Sequence, residues 1–231
     1  MHLAFGICPL CNQVSRLYDE VCLSCLEALH SHQYQRHSSY TCPRCFAPRL
    51  HEQAVCSHDT PPFPIVRIMP YIGVGKQLIL SYKKTGIRRL SRTFASIMSP
   101  YVRRLEQEHG PTALVPIPCS RTRIRDFGWD HMLVAARRCG DQIPIPVLPL
   151  LERTNITAQK MLTKDQRICA AEQAFQVRLS SKTKEREHLR QVRTLIVCDD
   201  VMTTGASMHA CMHALKQSYS LQIIGLCLAM D

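Results

Sequence analysis

From residue 66 to the end of the chain, short unbroken apolar runs alternate with stretches whose apolar residues recur every three or four positions. The first rhythm marks strands covered on both faces, and the second marks helices with one buried side. Val66 to Tyr71 reads as a strand and Gly75 to Tyr82 as a helix, followed by a basic loop through Arg89. Leu90, Phe94, Ile97, Met98, Tyr101, Val102 and Leu105 then form the stripe of a long helix that leaves Arg92, Arg103 and Arg104 in water. Ala113 to Pro118 is a short strand ended by prolines. Cys119 to Arg125 is a loop with Arg121, Arg123 and Arg125 at every second position, and Ile145 to Leu150 is a further strand. A long polar segment from Arg153 to Phe175 reads as a lid, and the basic run Lys182 to Arg193 as a solvated loop or hairpin. Leu195 to Cys198 is a buried parallel strand, and a helix from Ser207 places Met208, Cys211, Met212 and Leu215 on one face. His209 and His213 share another face and read as exposed. Ile223 to Met230 is a last core strand. Strands alternating with helices predict an α/β fold with a parallel sheet flanked by helices.

Charge divides the chain of 231 residues unevenly. Through Ile65 there are four Lys or Arg and five Asp or Glu; from Val66 onward there are twenty-five and thirteen. The positive field therefore belongs to the second part, where it attracts polyanions. Pro61-Pro62-Phe63-Pro64 cannot sustain a helix or central strand and reads as a linker. The expected organisation is a cysteine-rich module over residues 1–60, a linker over 61–65 and a larger domain over 66–231. No apolar stretch approaches the roughly 20 residues of a membrane span, and Met1 to Cys8 has neither a basic leader nor an adequate apolar run. A cytoplasmic protein without membrane insertion is expected.

Thirteen cysteines in such a chain favour reduced thiols and metal over disulfides. Cys8-x-x-Cys11, Cys22-x-x-Cys25 and Cys42-x-x-Cys45 are three C-x-x-C pairs, followed by Cys56 and His58. Two such pairs complete a tetrahedral Zn²⁺ site. The simplest grouping is Cys8, Cys11, Cys22 and Cys25 for one ion, with Cys42, Cys45, Cys56 and His58 for a second; interleaved pairing remains open. So short a segment buries little core, and metal supplies its folding free energy.

The richest chemistry follows Leu195 to Cys198. Asp199 and Asp200 fall at the carboxyl end of the strand, where an open α/β sheet leaves its ligand crevice. Thr203, Thr204, Gly205, Ala206 and Ser207 then offer backbone N–H groups and hydroxyls at a helix N-terminus, a place that holds phosphate. Carboxylates for sugar hydroxyls or Mg²⁺ beside donors for phosphate suit a phosphorylated ribose. A P-loop is excluded, since Pro70 and Gln77 stand where Gly75-Lys76 would need a glycine and a Ser or Thr.

The run Leu195 to Ser207 resembles the phosphoribosyl pyrophosphate (PRPP) loop of type I phosphoribosyltransferases. The resemblance implies that Asp199 and Asp200 face the ribose hydroxyls and act as the catalytic carboxylates, while the loop from Val201 and Met202 through Thr203, Thr204, Gly205, Ala206 and Ser207 wraps PRPP. With the cysteine module, Tyr71, the Lys83 region, Val115 to Pro118 and the segment Arg153 to Phe175, nearly the whole chain resembles the ComF family. What that resemblance implies is a zinc-ribbon module ahead of a type I phosphoribosyltransferase-like domain. It assigns Lys83 and the loop of Pro118, Cys119, Ser120, Arg121 and Arg123 to pyrophosphate. It also implies Mg²⁺ with PRPP, single-stranded DNA as a second partner, and work beside other DNA-uptake proteins in natural transformation. Trp129, Phe127, Tyr71 and Tyr82 are the candidate stacking surfaces for a strand. An active phosphoribosyltransferase of nucleobase salvage is the alternative. The chain departs from the family at Phe127-Gly128-Trp129-Asp130-His131, where members carry Arg-Gly-Phe-Asn-Gln, and at Ala170, where members carry Asn.

Overall fold

The computed structural model describes residues 3–31, Gln33, 63–154, 174–178 and 183–230. Cys42, Cys45, Cys56, His58, Pro61, Pro62, Lys182 and, within the polar segment, residues 155–173 lie outside them. The N-terminal part is an antiparallel ribbon of β1 (Leu3–Ile7), β2 (Val14–Tyr18) and β3 (Val21–Cys22), followed by α1 (Leu23–Ser31). The remainder runs β4 (Ile65–Pro70), α2 (Gly73–Lys83), a 3-10 turn (Arg88–Leu90), α3 (Ser91–His109), β5 (Thr112–Pro116), α4 (Arg121–Phe127) and α5 (His131–Gln142). A small antiparallel pair, β6 (Leu151–Arg153) with β7 (Phe175–Val177), precedes α6 (Thr183–Gln191), β8 (Thr194–Met202), α7 (Ala206–Ser218) and β9 (Gln222–Met230). The mixed α/β architecture therefore holds a parallel sheet flanked by helices, in the order β4-β9-β8-β5.

Successive strand residues point to opposite faces, and the two sides of β8 enter different cores. Ile196 and Cys198 pack with α2, α3 and α5 through Leu78, Phe94, Met98 and Ala135. Leu195 and Val197 pack with α7 through Met208, Cys211 and Leu215. Both faces being covered is why these strands read as unbroken apolar runs. The larger cluster also takes in Leu17, Val21 and Leu29, so the cysteine module shares a core with α2 and α3. Its turn at Asp19 and Glu20 has positive φ at both residues and is fastened to α3. The Thr93 hydroxyl donates to the Asp19 carbonyl, Ser96 Oγ donates to Asp19 Oδ2 at 2.6 Å, and Arg92 and Arg89 pair with Glu20.

Three expectations are corrected. Cys119 to Arg125 is mostly helix: the Ser120 hydroxyl caps α4 by accepting from the Arg123 N–H, so the alternate arginines do not share one face. Lys182 to Arg193 is mostly the helix α6 within the described residues, built from strong helix formers and anchored by buried Glu185, which accepts from Arg178 at 3.3 Å. Ile145 to Leu150 contributes a single parallel bridge, Val147 to Leu114. Pro144, Pro146 and Pro149 have no N–H to extend that ladder.

Gly140 is buried within α5, where an added Cβ would lie 2.7 Å from the carbonyl oxygen of Ile145 and 2.9 Å from Val147 Cγ2. Since a backbone oxygen cannot yield as a side-chain tip does, Gly140→Ala is expected to destabilise by about 1–3 kcal/mol. A lowered urea midpoint checks this, and an unchanged one refutes the tight fit.

Candidate functional site

β8 continues past Cys198 to Met202, pairing with β9 through Val201–Ala229 and Met202–Met230. Asp199 and Asp200 are therefore consecutive strand residues and project from opposite faces. Asp200, 2 % exposed, lies on the α2 and α5 side. Its Oδ2 is 2.9 Å from Lys83 Nζ and 2.6 Å from His131 Nε2, and its Oδ1 accepts from the Val201 amide at 2.7 Å. Asp199 lies in the row Arg67–Cys227–Asp199 across β4, β9 and β8, and its Oδ1 accepts from the Asp200 amide at 2.9 Å.

The two carboxyls titrate apart. Burial works against the charged form of Asp200, but the hydrogen bond and charge of His131 and the charge of Lys83 outweigh it and hold the group below the usual carboxylate range. Burial and the negative charge of Asp200 push Asp199 well above that range, with Lys83 and Arg153 opposing. The result is one permanent carboxylate and one that favours its proton, a division typical of sites that handle protons or cations.

His131 continues the network. Its Nδ1 lies 2.6 Å from Cys119 Sγ, and Cys119 lies 3.3 Å from Asp130 Oδ1 while its amide donates to Asp130 Oδ2 at 2.9 Å. Burial and the Asp130 charge push the Cys119 thiol up to about 12, so the sulfur keeps its proton. The thiol hydrogen is directed at Asp130 Oδ1, and His131 Nε2 faces Asp200 Oδ2. Asp130 also caps α5 through the Leu133 N–H. Cys119, Asp130 and His131 lie close enough to share a cation, though hydrogen bonds within the protein already engage each of them.

Sequence reasoning missed His131 and Asp130, which appeared only as departures from the family pattern. Their nearest sequence signal is an Asp at a helix start followed by His, a capping pattern with no chemistry attached. The structure brings Lys83 and Cys119 to Asp200 by way of side chains from three elements. Arg123 is turned away to donate to the Lys83 carbonyl at 2.7 Å and lies over Phe127, while Arg121 is exposed on α4. Pro118 and Ser120 flank Cys119 in the turn before α4. Tyr82 is buried, with its hydroxyl donating to the His131 carbonyl at 2.8 Å and Trp129 against its ring, so it is no stacking surface.

After β8 the chain turns through Thr203 and Thr204, both exposed, to Gly205, whose φ of 76° precedes α7. Glycine suits that left-handed position because it has no Cβ. The Ala206 amide donates to Thr204 Oγ1 at 3.4 Å, and Ser207 lies in the first turn. His209 is half-buried rather than exposed as expected, and its Nδ1 is buried without a partner among the described residues; His213 is exposed. Arg67 is 7 % exposed, and its Nε and Nη1 have no partner among the described residues. An unanswered buried guanidinium is costly and marks this side of the sheet as one suited to an anion.

The ribbon carries the second group of chemistry. The sulfurs of Cys8, Cys11, Cys22 and Cys25 lie within 4.8 Å of one another, with Cys11 and Cys22 at 3.6 Å. Asn12 at φ 60° closes the first C-x-x-C turn, and the Cys22 amide donates to Cys8 Sγ at 3.4 Å. Burial opposes ionisation of Cys8, yet backbone N–H groups of Cys22, Leu10 and Cys11 hold it down at about 7. Burial raises Cys22 and Cys25. Four convergent thiols with amides aimed at sulfur fit a tetrahedral cation such as Zn²⁺. The four proposed ligands Cys42, Cys45, Cys56 and His58 are outside the described residues.

No helix among the described residues is long and apolar enough to cross a membrane. No protein-family model matches the chain, and no curated protein matches it.

Two outcomes are expected. Cys25→Ser is expected to lose one zinc equivalent per chain and lower the urea midpoint, since metal binding is folding free energy for a ribbon; elemental analysis of the purified chain checks this, and an unchanged zinc content refutes the four-thiol site. For the carboxylates the signs oppose. The depressed value of Asp200 gives stability that is complete above the ordinary value of 3.8 and lost as pH falls through its folded value. The raised value of Asp199 gives stability that is complete below 3.8 and lost as pH rises through its folded value. Asp199→Asn is therefore expected to flatten the loss that runs from 3.8 up to the folded value, whereas Asp200→Asn costs about 1–3 kcal/mol at neutral pH by removing the charge and one of the two oxygens that face Lys83 and His131. Urea midpoints across about pH 5 to 9 separate the two.

Proposed function

We propose that the chain is a competence protein of the ComF type, a zinc-ribbon module joined to a type I phosphoribosyltransferase-like domain that binds PRPP and single-stranded DNA during DNA uptake. The observation that carries the PRPP part is the order of groups along one continuous stretch of chain. A carboxylate pair on the carboxyl end of β8 leads through Thr203 and Thr204 to the left-handed Gly205 and the N-terminus of α7. A 5′-phosphate suits the amides and hydroxyls of Thr203 to Ser207, where unpaired helix donors and the positive dipole end favour an anion.

The carboxylates divide the remaining work. Asp200 is committed to Lys83 and His131, so it fixes the shape of the site and supplies a standing negative charge. Asp199 is half-buried and accepts only the Asp200 amide among the described residues. It is the ligand for a ribose hydroxyl or for Mg²⁺, which when bound offsets charge on the pyrophosphate. Because Asp199 favours its proton, cation binding there releases one, and affinity rises with pH. Lys83 faces the same end of the sheet and balances pyrophosphate charge together with Arg121, which is exposed on α4.

Titration calorimetry with magnesium and PRPP tests the reading. Micromolar binding by the wild-type chain is expected, weakened by about tenfold or more in Asp199→Asn and strengthened toward alkaline pH. Absence of heat overturns it. Release of pyrophosphate in the presence of a nucleobase would transfer the chain to salvage, and a disruption strain that needs a nucleobase but transforms normally would do the same.

A further inference from the structure

A cleft of about 440 Å³ opens between the 3-10 turn Arg88–Leu90, the first turn of α3 and one side of α5. Five arginines line it, Arg88, Arg89, Arg92, Arg137 and Arg138, against one carboxylate, Asp141. Glu20 of the ribbon answers Arg89, at 3.3 Å, and Arg92. Among the described residues no carboxylate lies within ion-pair distance of Arg88, Arg137 or Arg138.

The arrangement is unfavourable when empty. α3 is 19 residues long and has no acidic residue in its first turn, so Arg88, Arg89 and Arg92 crowd the positive end of a helix dipole. Arg137 and Arg138 face them from α5, both exposed. Same-sign charges gathered in a concave site raise the local potential and draw in an anion of matching density. Guanidinium groups meet phosphate oxygens in a bidentate fork, which makes phosphate the anion best suited to such a lining.

The neighbouring side chains select among phosphates. The Arg88 guanidinium lies 5.9 Å above the ring of half-buried Trp129, and Arg123 lies 5.4 Å above that of Phe127. Phe127 in turn closes on Gly86, where an added Cβ would meet its ring at 3.2 Å. Basic and aromatic groups thus adjoin beside the cleft, the composition that tracks a nucleic-acid backbone with its bases alongside. We propose that this cleft is the docking surface for single-stranded nucleic acid, with Arg88, Arg137 and Arg138 on consecutive phosphates and the Trp129 edge beside the bases. The proposal rests on the strand-binding part of the function above and is independent of the PRPP part.

The test measures binding of a fluorescent oligothymidylate about 20 nucleotides long to the zinc-loaded full chain over a range of salt. The wild type is expected to bind with log K falling linearly in log salt. Arg137→Glu/Arg138→Glu is expected to bind about tenfold or more weakly with a slope shallower by about 2, and Arg88→Ala with a slope shallower by about 1. Both α5 positions are exposed, and unchanged zinc content and urea midpoint show that the variants fold. Equal binding by the wild type and the double variant overturns the cleft alone. No strand binding by the wild type overturns the strand-binding part of the function and the cleft with it. Tripolyphosphate binding as tightly as the oligonucleotide assigns the cleft to a free anion and overturns the strand.

Discussion

An ionised carboxylate at 2 % exposure persists only where its partners are fixed, and Asp200 has three: the Lys83 ammonium, the His131 imidazole and the Val201 amide. Those partners come from the end of α2, the start of α5 and β8 itself. One buried charge thereby ties two helices to the central strand at its carboxyl end. Cys119 extends the tie to the turn after β5, by facing His131 from the neighbouring strand's exit. The crevice side of the sheet is thus held by a buried charge, while at the opposite end neutral hydrogen bonds join Thr194 and Gln222, where β8 and β9 begin, to His109. A polar anchor costs desolvation but admits only one arrangement of its members, which is what a site that must hold its shape requires.

The same anchor sets the properties of its neighbour. Because consecutive strand positions face opposite ways, Asp199 lies on the α7 side with Cys227 and Cys211 and meets Asp200 only through charge and backbone. Its own burial raises it, and the permanent charge across the strand raises it further. An acidic pair that reads in the sequence as two equivalent ligands is, in three dimensions, a structural carboxylate beside a proton-holding one. Arg67, two strands away in the same row, has two N–H groups with no partner among the described residues and lends the α7 face positive charge.

What the sequence reveals about this site follows the range of the interactions. Leu195 to Cys198, the carboxylates and the turn at Gly205 are contiguous, so their strand, crevice and helix start can be read locally. His131 cannot, since it matters only because α5 lies against β8, a contact between residues 69 positions apart. The end of β8 was readable in part: Val201 and Met202 restore apolar character after the carboxylates, a hint that pairing runs on and separates the two Asp side chains. The run Lys182 to Arg193 misleads because its only apolar residues are Leu189 and Val192; α6 is held by intrinsic propensity, by Leu189 against the core, and by one inward Glu185 that no periodicity marks. Prolines at 144, 146 and 149 did contain the warning against a strand there, since apolar composition cannot replace missing N–H donors.

The ribbon is coupled to the rest of the molecule through charge as well as packing. Its turn offers Glu20, 8 % exposed, to Arg89 and Arg92, two of the five cationic groups of the cleft. That turn lies between Tyr18 and Val21, directly ahead of Cys22 in β3, so the four thiols and the glutamate belong to one short stretch of backbone. A cation held by Cys8, Cys11, Cys22 and Cys25 therefore fixes where Glu20 is, and Glu20 sets how much positive charge the cleft presents. If the ribbon loosens, two more guanidinium groups lose their carboxylate and the cleft gains potential while losing a wall. Electrostatic attraction and shape then move in opposite directions, and a strand would be drawn in more strongly but held with less definition. Metal held in the module would thus act on the proposed interface from a distance, through a single buried carboxylate.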